Sequence, residues 1–139
     1  MKKISVLLSL IVVMSFASCS SVGNLNPMSL LTGNNWVLSS LMGKALDPAK
    51  FLNGLPSLGF LDGGGLTGFT GCNNFNGNFS LDGTKINLDP GAMTKKACEG
   101  SGENDFLGAL SQVSNFKVAK NKLTLLDGAK ELLSFVPQN

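Results

Sequence analysis

Turn-forming pairs recur along this sequence and constrain its fold more than any other feature. They are Asp62-Gly63, Asn76-Gly77, Asp82-Gly83 and Asp127-Gly128, and short apolar stretches separate them. Asn-Gly and Asp-Gly accept the positive φ angles that tight hairpins need. Short strands with such turns at intervals of roughly 8–12 residues are typical of an antiparallel β meander. We therefore predict a chain made mostly of strands.

The apolar residues alternate as a half-buried strand requires. Trp36 and Leu38 share one face of a strand predicted over 36–41, and Ile86 and Leu88 share one face of another. The remaining predicted strands lie at 58–61, 66–70, 79–81, 116–118, 123–125 and 133–135. The last three are expected to form a closing meander.

One segment, from about Glu103 to Val113, has a helical period instead. Its apolar residues recur at the spacing of one helical face, at Phe106, Leu107, Leu110 and Val113. The predicted fold class is therefore mainly β (α+β). It is a small antiparallel, barrel-like β meander with one α-helix, which covers part of the sheet or one end of the barrel.

The amino terminus has the features of a secretory signal. Two lysines precede an apolar run from Ile4 to Phe16, which is shorter than the roughly 20 residues that a membrane-spanning helix needs. Phe16-Ala17-Ser18-Cys19 follows and resembles a bacterial lipobox, where cleavage precedes a cysteine whose thiol receives lipid. We predict a lipoprotein signal peptide over residues 1–18 and lipidation of Cys19. An ordinary signal peptide with an incidental cysteine is the alternative.

Cleavage before Cys19 leaves a mature chain with no net charge. The full chain has eleven lysines and nine acidic residues, and two of the lysines lie in the signal, so nine of each sign remain. Neutrality argues against nucleic-acid binding and against electrostatic capture by anionic lipid, which leaves the lipid on Cys19 as the expected membrane attachment. Small polar residues predict a flexible tether over 19–29, and residues 30–139 are sufficient for one domain.

The chain contains no His, Arg or Tyr. A Ser-His-Asp triad, a Cys-His pair, a His-ligated metal and an arginine clamp are thereby excluded. The aspartates that could act alone are scattered singly and are explained as turn residues: Asp62, Asp82, Asp89 and Asp127. We expect no catalytic residue, no cofactor and no metal site, and hence no enzyme.

The stretch Gly63 to Gly68 matches the dinucleotide-binding pattern in its letters. That pattern has meaning only between a strand and a helix, and no helical period follows here. We interpret the stretch as a hairpin turn followed by a glycine-rich strand.

Cys72 and Cys98 are the two other cysteines. An exported protein meets an oxidising compartment, so a disulfide is the first hypothesis. Closing a loop of about 26 residues is worth roughly 3.5 kcal/mol in the chain-entropy model. Two buried thiols too far apart to bridge are one alternative. A redox-active pair is the other, although the CxxC spacing is missing.

At these residues the chain resembles the META-domain (HslJ-like) family. The segment Gly68 to Gly77 reads Gly-Phe-Thr-Gly-Cys-Asn-Asn-Phe-Asn-Gly, similar to the family's Gly-x-x-Gly-Cys-Asn-x-Phe-x-Gly. Met93 to Cys98 resembles its Met-Thr-(Arg/Lys)-x-x-Cys element. Departures are Leu81, where many members carry an aromatic residue, and an insertion-like Gly100-Ser101-Gly102. The family-motif residues in this chain are Gly71, Cys72, Asn73, Phe75, Gly77, Thr94 and Cys98.

The resemblance implies a β-rich envelope domain in a family associated with stress, antibiotic tolerance and, in some members, virulence or secretion. It brings no enzymatic mechanism. We expect a non-catalytic, stress-related, monomeric module that binds an unknown envelope protein or a small ligand. Because no aspartate follows Cys19, the expected location is the outer membrane, facing the periplasm.

Two other functions stay open at this point. The first is an inhibitor of an attacking hydrolase, such as lysozyme or a protease, which inserts a glycine-rich loop like Asp62 to Gly65. The second is a thiol-redox protein that uses Cys72 and Cys98.

Overall fold

The protein folds into antiparallel strands and two short helices, in a computed structural model that describes residues 26–138. The helices are α1 (Pro27–Thr32) and α2 (Gly102–Leu110), and a 3-10 turn spans Pro48–Lys50. The strands are β1 (Asn35–Leu41), β2 (Lys44–Ala45), β3 (Ser57–Leu61), β4 (Gly65–Phe69), β5 (Asn74–Asp82), β6 (Lys85–Met93), β7 (Asn115–Ala119), β8 (Lys122–Asp127) and β9 (Lys130–Pro137). The predicted signal peptide, Cys19 and most of the predicted tether lie outside the described residues.

Most strands form where the apolar alternation predicted them. The short strand β2 was not predicted, and the predicted turn at Asn76-Gly77 was wrong: both residues lie inside β5, at the point where the β5–β6 register shifts. Trp36 and Leu38 are both buried on β1, and on β6 Ile86 is buried with Leu88 half-buried beside it. The stretch Gly63 to Gly68 is the β3–β4 turn and the first part of β4, which confirms its interpretation as a hairpin. The three closing strands are confirmed as β7, β8 and β9.

The strands pair into one sheet that closes on itself. Their order is β2-β1-β3-β4-β5-β6-β7-β8-β9, and β1 also pairs with β9. Strand pairing is shortest between β6 and β7, where a single residue pair, Lys85 with Asn115, joins the two strands. The mainly β, antiparallel fold class is confirmed. The barrel-like prediction needs one correction: the sheet closes in a ring that is not a regular barrel, because β6 and β7 diverge beyond that pair.

Helix α1 was not predicted. It begins at Pro27, inside the range predicted as tether, because the Asn26 side chain accepts a hydrogen bond from Met28 N (3.0 Å) and proline fits the first helical position. Leu31 of α1 is fully buried, and its carbonyl accepts a hydrogen bond from Trp36 Nε1 (3.0 Å). Helix α1 thereby packs against the ring, next to β3 and β7.

Helix α2 confirms the predicted helix with shorter bounds. It ends at Leu110. Ser111 N still bonds four residues back, to Leu107 O, and the two amides after it bond three residues back, from Gln112 N to Ala109 O and from Val113 N to Leu110 O. This tighter turn ends the α-helical pattern before Val113. Within residues 26–138, neither helix is long and apolar enough to span a membrane.

The ring and its two helices share one hydrophobic core. Its largest fully buried side chains come from both helices and both halves of the sheet: Leu31, Trp36, Phe75, Phe106 and Phe135. Because α2 contributes Phe106 to this core, its opposite side is left free to form part of a surface site.

Candidate functional site

Most of the family-motif residues meet around one buried asparagine. We call the cluster formed by Thr70, Cys72, Asn73, Thr94, Cys98 and Glu103 the polar hub. Asn73 directly follows Cys72 and is 2% exposed. The hub joins three segments: the turn between β4 and β5, the loop after β6, and the first turn of α2.

The Asn73 side chain has its hydrogen-bonding capacity filled from within the protein. Its Oδ1 accepts from Thr94 Oγ1 (3.0 Å) and from Lys96 N (2.6 Å). Its Nδ2 donates to Lys96 O (3.1 Å) and to the Glu103 carboxylate (2.9 Å). An amide offers two acceptor lone pairs and two donors, so Asn73 keeps none free for a ligand.

Thr70 donates a second hydrogen bond to the Glu103 carboxylate, at the oxygen that Asn73 also contacts. Its hydroxyl donates to Glu103 Oε2 (2.9 Å) and accepts from Asn73 N (2.8 Å) and Cys72 N (3.2 Å). Thr70 and Glu103 were not recognised as site residues from the sequence. They are 33 positions apart, and no local pattern links residues at that separation.

Cys72 and Cys98 form a disulfide, with their Cα atoms 5.9 Å apart. This confirms the first hypothesis and rules out two thiols too distant to bridge. Cys72 is 4% exposed, and Cys98 is half-buried. The bond ties the β4–β5 turn to the loop before α2, the same segments that Asn73 joins by hydrogen bonds.

The motif residues Phe75 and Gly77 have packing roles. Phe75 lies opposite Gly68 in the β4–β5 register, and a Cβ on Gly68 would overlap the Phe75 ring. A Cβ on Gly77 would meet the Asp89 carbonyl oxygen of β6, at the point where the β5–β6 register shifts. These positions therefore need glycine because backbone or an aromatic ring occupies the space.

Gly71 and Gly102 hold Phe51 between them. Gly71 has a φ of +93°, and a Cβ there would lie 2.8 Å from Phe51 Cδ1; a Cβ on Gly102 would lie 2.6 Å from the same atom. The insertion-like Gly100 to Gly102 thus has a packing role, because it lets α2 begin against Phe51 and the Lys50 carbonyl. Phe51 therefore lies between the polar hub and the surface beside it.

That surface is a groove between the β1–β2 hairpin, the 3-10 turn and α2. Its volume is about 610 Å³. We call it the hairpin groove, and its lining residues are Leu41, Met42, Lys44, Ala45, Leu46, Asp47, Lys50, Phe51, Asn104, Asp105, Gly108, Ala109 and Gln112. None of the family-motif residues lines it.

Two of the four charged side chains that line the hairpin groove form an ion pair with each other. Lys50 Nζ lies 2.9 Å from Asp105 Oδ2. The hydrogen bonds from Lys50 and from the Ser101 hydroxyl lower the pKa of Asp105, and the bond to Asp105 raises the pKa of Lys50. Asp47 accepts from Ala49 N (3.0 Å) at the start of the 3-10 turn. Lys44 forms no ion pair with any residue between 26 and 138.

Across residues 26–138 every buried side-chain nitrogen and oxygen has a hydrogen-bond partner. The same part of the chain contains no cluster of three His, Cys, Asp or Glu side chains that could hold a metal ion. The site residues therefore divide into a polar hub with filled contacts and an open groove with an apolar lining.

Fold and hub together define a class: a small antiparallel β ring whose helix is fastened by a disulfide and a buried asparagine. A family model described as META domain matches residues 29–139. The chain belongs to the META domain family. The comparison with curated proteins finds no match.

Three solved structures have a similar fold. A protein solved by NMR is 24% identical, with a TM-score of 0.64, and the match covers 81% of this chain and 96% of that one. The crystal structure of a DUF4847 family protein from Bacteroides vulgatus is 19% identical, with a TM-score of 0.63 and coverages of 82% and 100%. An NMR structure of a protein from Burkholderia xenovorans is 25% identical, with a TM-score of 0.61 and coverages of 81% and 86%. These likenesses show the fold.

Proposed function

We propose that this META-domain protein is a non-catalytic, lipid-anchored binding module of the bacterial cell envelope that acts in a stress response. One observation carries the non-catalytic part. The polar and sulfur-containing motif residues are bonded to one another: Thr94 to Asn73, and Cys72 to Cys98. A general acid, base or nucleophile must instead reach a substrate atom.

The contacts within the polar hub support the non-catalytic proposal. The Glu103 carboxylate accepts from Thr70 and Asn73, and the two cysteine sulfurs are bonded to each other. The hairpin groove offers the contrasting property of an accessible apolar surface. A module of this kind binds through the groove while the hub holds the fold together.

Two features support the proposed location in the cell envelope. A disulfide is typical of an extracytoplasmic protein. The signal-like segment and the lipobox-like Phe16 to Cys19 support a lipid on Cys19, with the outer membrane facing the periplasm as the proposed site.

The anchor is tested by Cys19→Ala in the full chain. The wild-type protein should fractionate with membranes and show the mass of an acylated amino-terminal peptide. The variant should be exported but released from the membrane fraction, with its Cys72–Cys98 disulfide intact. A variant that stays in the membrane fraction contradicts the anchor.

The binding role is tested by crosslinking in intact cells, followed by mass spectrometry of the purified wild-type protein and everything attached to it. A bound envelope protein or small molecule supports the module. Purified protein should also be assayed against lysozyme and a panel of proteases. Potent inhibition of one of these enzymes would replace the proposal with the hydrolase-inhibitor function.

A further inference from the structure

We propose that one end of the ring lies on an anionic bilayer and that the lysines of the β7–β8 hairpin hold it there, so that the polar hub and the hairpin groove face away from the membrane. This orientation rests on the proposed lipid at Cys19 and adds to it a protein surface that contacts phospholipid. Three features of the molecule support it: the position of α1, the short length of chain from Cys19 to α1, and the distribution of charge.

The ring has two distinct ends, and α1 marks one of them, because β1 begins shortly after α1 ends. Near the start of β1, Trp36 pairs with Pro137 of β9. Phe135 of β9 pairs with Leu123 of β8, so the β7–β8 turn just before Leu123 lies at the same end, which we call the α1 end. Helix α1 also packs next to β7. The hairpin groove and the hub lie at the opposite end, since β1 and β4 both run away from the α1 end toward them.

Little chain separates the proposed lipid from the α1 end. Seven residues, 19–25, lead from Cys19 to Asn26, and an extended chain advances at most about 3.6 Å per residue, so Cys19 lies within roughly 25 Å of Asn26. Helix α1 is fixed to the ring by the fully buried Leu31. A nine-residue strand such as β5 is itself roughly 30 Å long. The opposite end could therefore face the bilayer only with a tether stretched along the ring, at a loss of conformational entropy.

Charge is distributed unevenly between the two ends, although residues 19–139 contain nine lysines and nine acidic residues. At the α1 end four lysines outnumber two aspartates, and these charges are Lys85, Lys117, Lys120, Lys122, Asp62 and Asp82. Asp89 lies midway along β6, and the opposite end holds the other five lysines and six acidic residues. Lys85 pairs with Asp82 across β5 and β6, which leaves three lysines with no acidic residue opposite them.

We call these three lysines, Lys117, Lys120 and Lys122, the lysine patch. All are exposed on the β7–β8 hairpin, and the sequence from Asn115 to Leu126 contains no acidic residue. None of the three forms an ion pair with a residue between 26 and 138. Three lysines near an anionic bilayer should favour this orientation on the order of 100-fold. The patch orients a protein that the lipid already holds, which agrees with a mature chain that has no net charge.

The orientation is measured with the acylated full chain, reconstituted into vesicles of phosphatidylcholine and phosphatidylglycerol in equal parts that also contain a lipid with a nitroxide on its headgroup. Asn121→Cys and Ala129→Cys each add one thiol, in the two turns that flank β8. Both positions are exposed, the first at the α1 end and the second at the opposite end. A bimane on the new thiol at position 121 should be quenched several-fold more strongly than one at position 129. Peptide mapping checks that Cys72 and Cys98 stay bonded.

The lysine patch is tested by removing its charge in both labelled chains, with Lys117→Gln, Lys120→Gln and Lys122→Gln together. The ratio of quenching at the two labelled positions should fall to the value measured in vesicles of phosphatidylcholine alone. High salt should have the same effect, since it screens exposed charges. The matched control removes the same charge from the opposite end and should keep the ratio: Lys44→Gln, Lys95→Gln and Lys130→Gln. All six lysines are exposed, so Tm should stay within about 2 °C of wild type.

Equal quenching at the two positions, or stronger quenching at position 129, in acylated and vesicle-bound protein would overturn the orientation and leave the lipid anchor standing. A ratio that is unchanged without the lysine patch would overturn the inference as well. Crosslinking in cells that joins position 121 to a protein and not to lipid would assign the patch to another partner and also overturn it. Absence of the acylated peptide or of vesicle binding, measured before any label is attached, would overturn the proposed anchor itself.

Discussion

The polar hub and the hairpin groove lie side by side on α2 and differ in almost every physical property. Glu103 points into the hub, and the next two residues, Asn104 and Asp105, line the groove. The hub is polar, and its side chains bond to one another; Thr70, Cys72 and Asn73 are buried, whereas Cys98 and Glu103 are half-buried and Thr94 is exposed. The groove is open and mainly apolar. The family-motif residues belong to the hub, to the packing of β5 or, in the case of Gly71, to the contact with Phe51, and none lines the groove.

The residues of the family signature are the ones that the hub and its packing require. A buried hydrogen-bond network is stable only when every member keeps its partner, so the hub constrains residue identity strongly. Most groove side chains are exposed, apart from the buried Phe51 and Ala109, so we expect the fold to depend less on their identity. The signature therefore reports how the chain folds, and a site for the proposed binding role must be sought among residues that the signature omits.

The largest expected effect is loss of the disulfide. Replacing both Cys72 and Cys98 with alanine should lower the free energy of unfolding by about 3.5 kcal/mol, because the closed loop no longer restricts the unfolded chain. Urea unfolding followed by circular dichroism measures this change, and reduction of the wild-type protein should reproduce it. A loss below about 1 kcal/mol would mean that the hydrogen bonds of Asn73 alone fasten the loop.

Asn73→Ala should lower the free energy of unfolding slightly less, by about 3 kcal/mol. The reason is that the Lys96 N–H and the Glu103 carboxylate each lose a hydrogen-bond partner. The matched control is Asn74→Ala at the exposed neighbouring position. It should change stability by less than about 0.5 kcal/mol. Equal effects at the two positions would show that Asn73 has no special role in the hub.

One substitution should have opposite signs in the two regions. Gly71→Ala should destabilise the protein by about 2 kcal/mol, because the new Cβ meets Phe51 at a φ of +93°. Gly108→Ala should stabilise it by up to about 1 kcal/mol, since alanine favours the helix and nothing blocks its Cβ. Unfolding curves of both variants measure the two changes in the free energy of unfolding. If both changes had the same sign, the contrast between hub and groove would be contradicted.

The smallest effect is expected at the exposed Lys50–Asp105 pair. The hydrogen bond from Lys50 lowers the pKa of Asp105, so its stabilising contribution is present above the usual pKa of an aspartate. It is lost as pH falls through the lower, folded-state pKa. Asp105→Asn should lower Tm at neutral pH by less than about 2 °C and should have no effect at a pH below that value. Titration of the carboxyl by NMR should give a midpoint below the usual aspartate range.

Much of the fold was readable from local patterns. Alternation at Trp36 and Leu38, the Asp-Gly pairs and the helical spacing around Phe106 each depend on neighbouring residues, which is why the strands, hairpins and α2 were predicted. Helix α1 was missed, although Asn26-Pro27 is an acceptable helix start. Six residues are too few to show a helical period.

Only some residues of the candidate site could be predicted from the sequence. The cysteine pair and the motif around Asn73 were found by count and by resemblance to a family. Thr70 and Glu103 were missed because their role depends on a contact across 33 residues. No sequence pattern indicated the groove, since its sides come from the β1–β2 hairpin and from α2 on opposite sides of the family motif.

Most strands and turns, one helix and the family followed from the sequence, because they depend on short-range backbone preferences and on residue identity. The Asn76-Gly77 pair did not form the predicted turn, because pairing with β6 holds it inside β5. Other features arise only in the packed chain. The pairing of β1 with β9 closes the ring. The single residue pair between β6 and β7 prevents a regular barrel. Phe51, packed between Gly71 and Gly102, brings the hub and the groove together. Each of these is a contact between distant segments, whose geometry exists only once the chain has packed around its core.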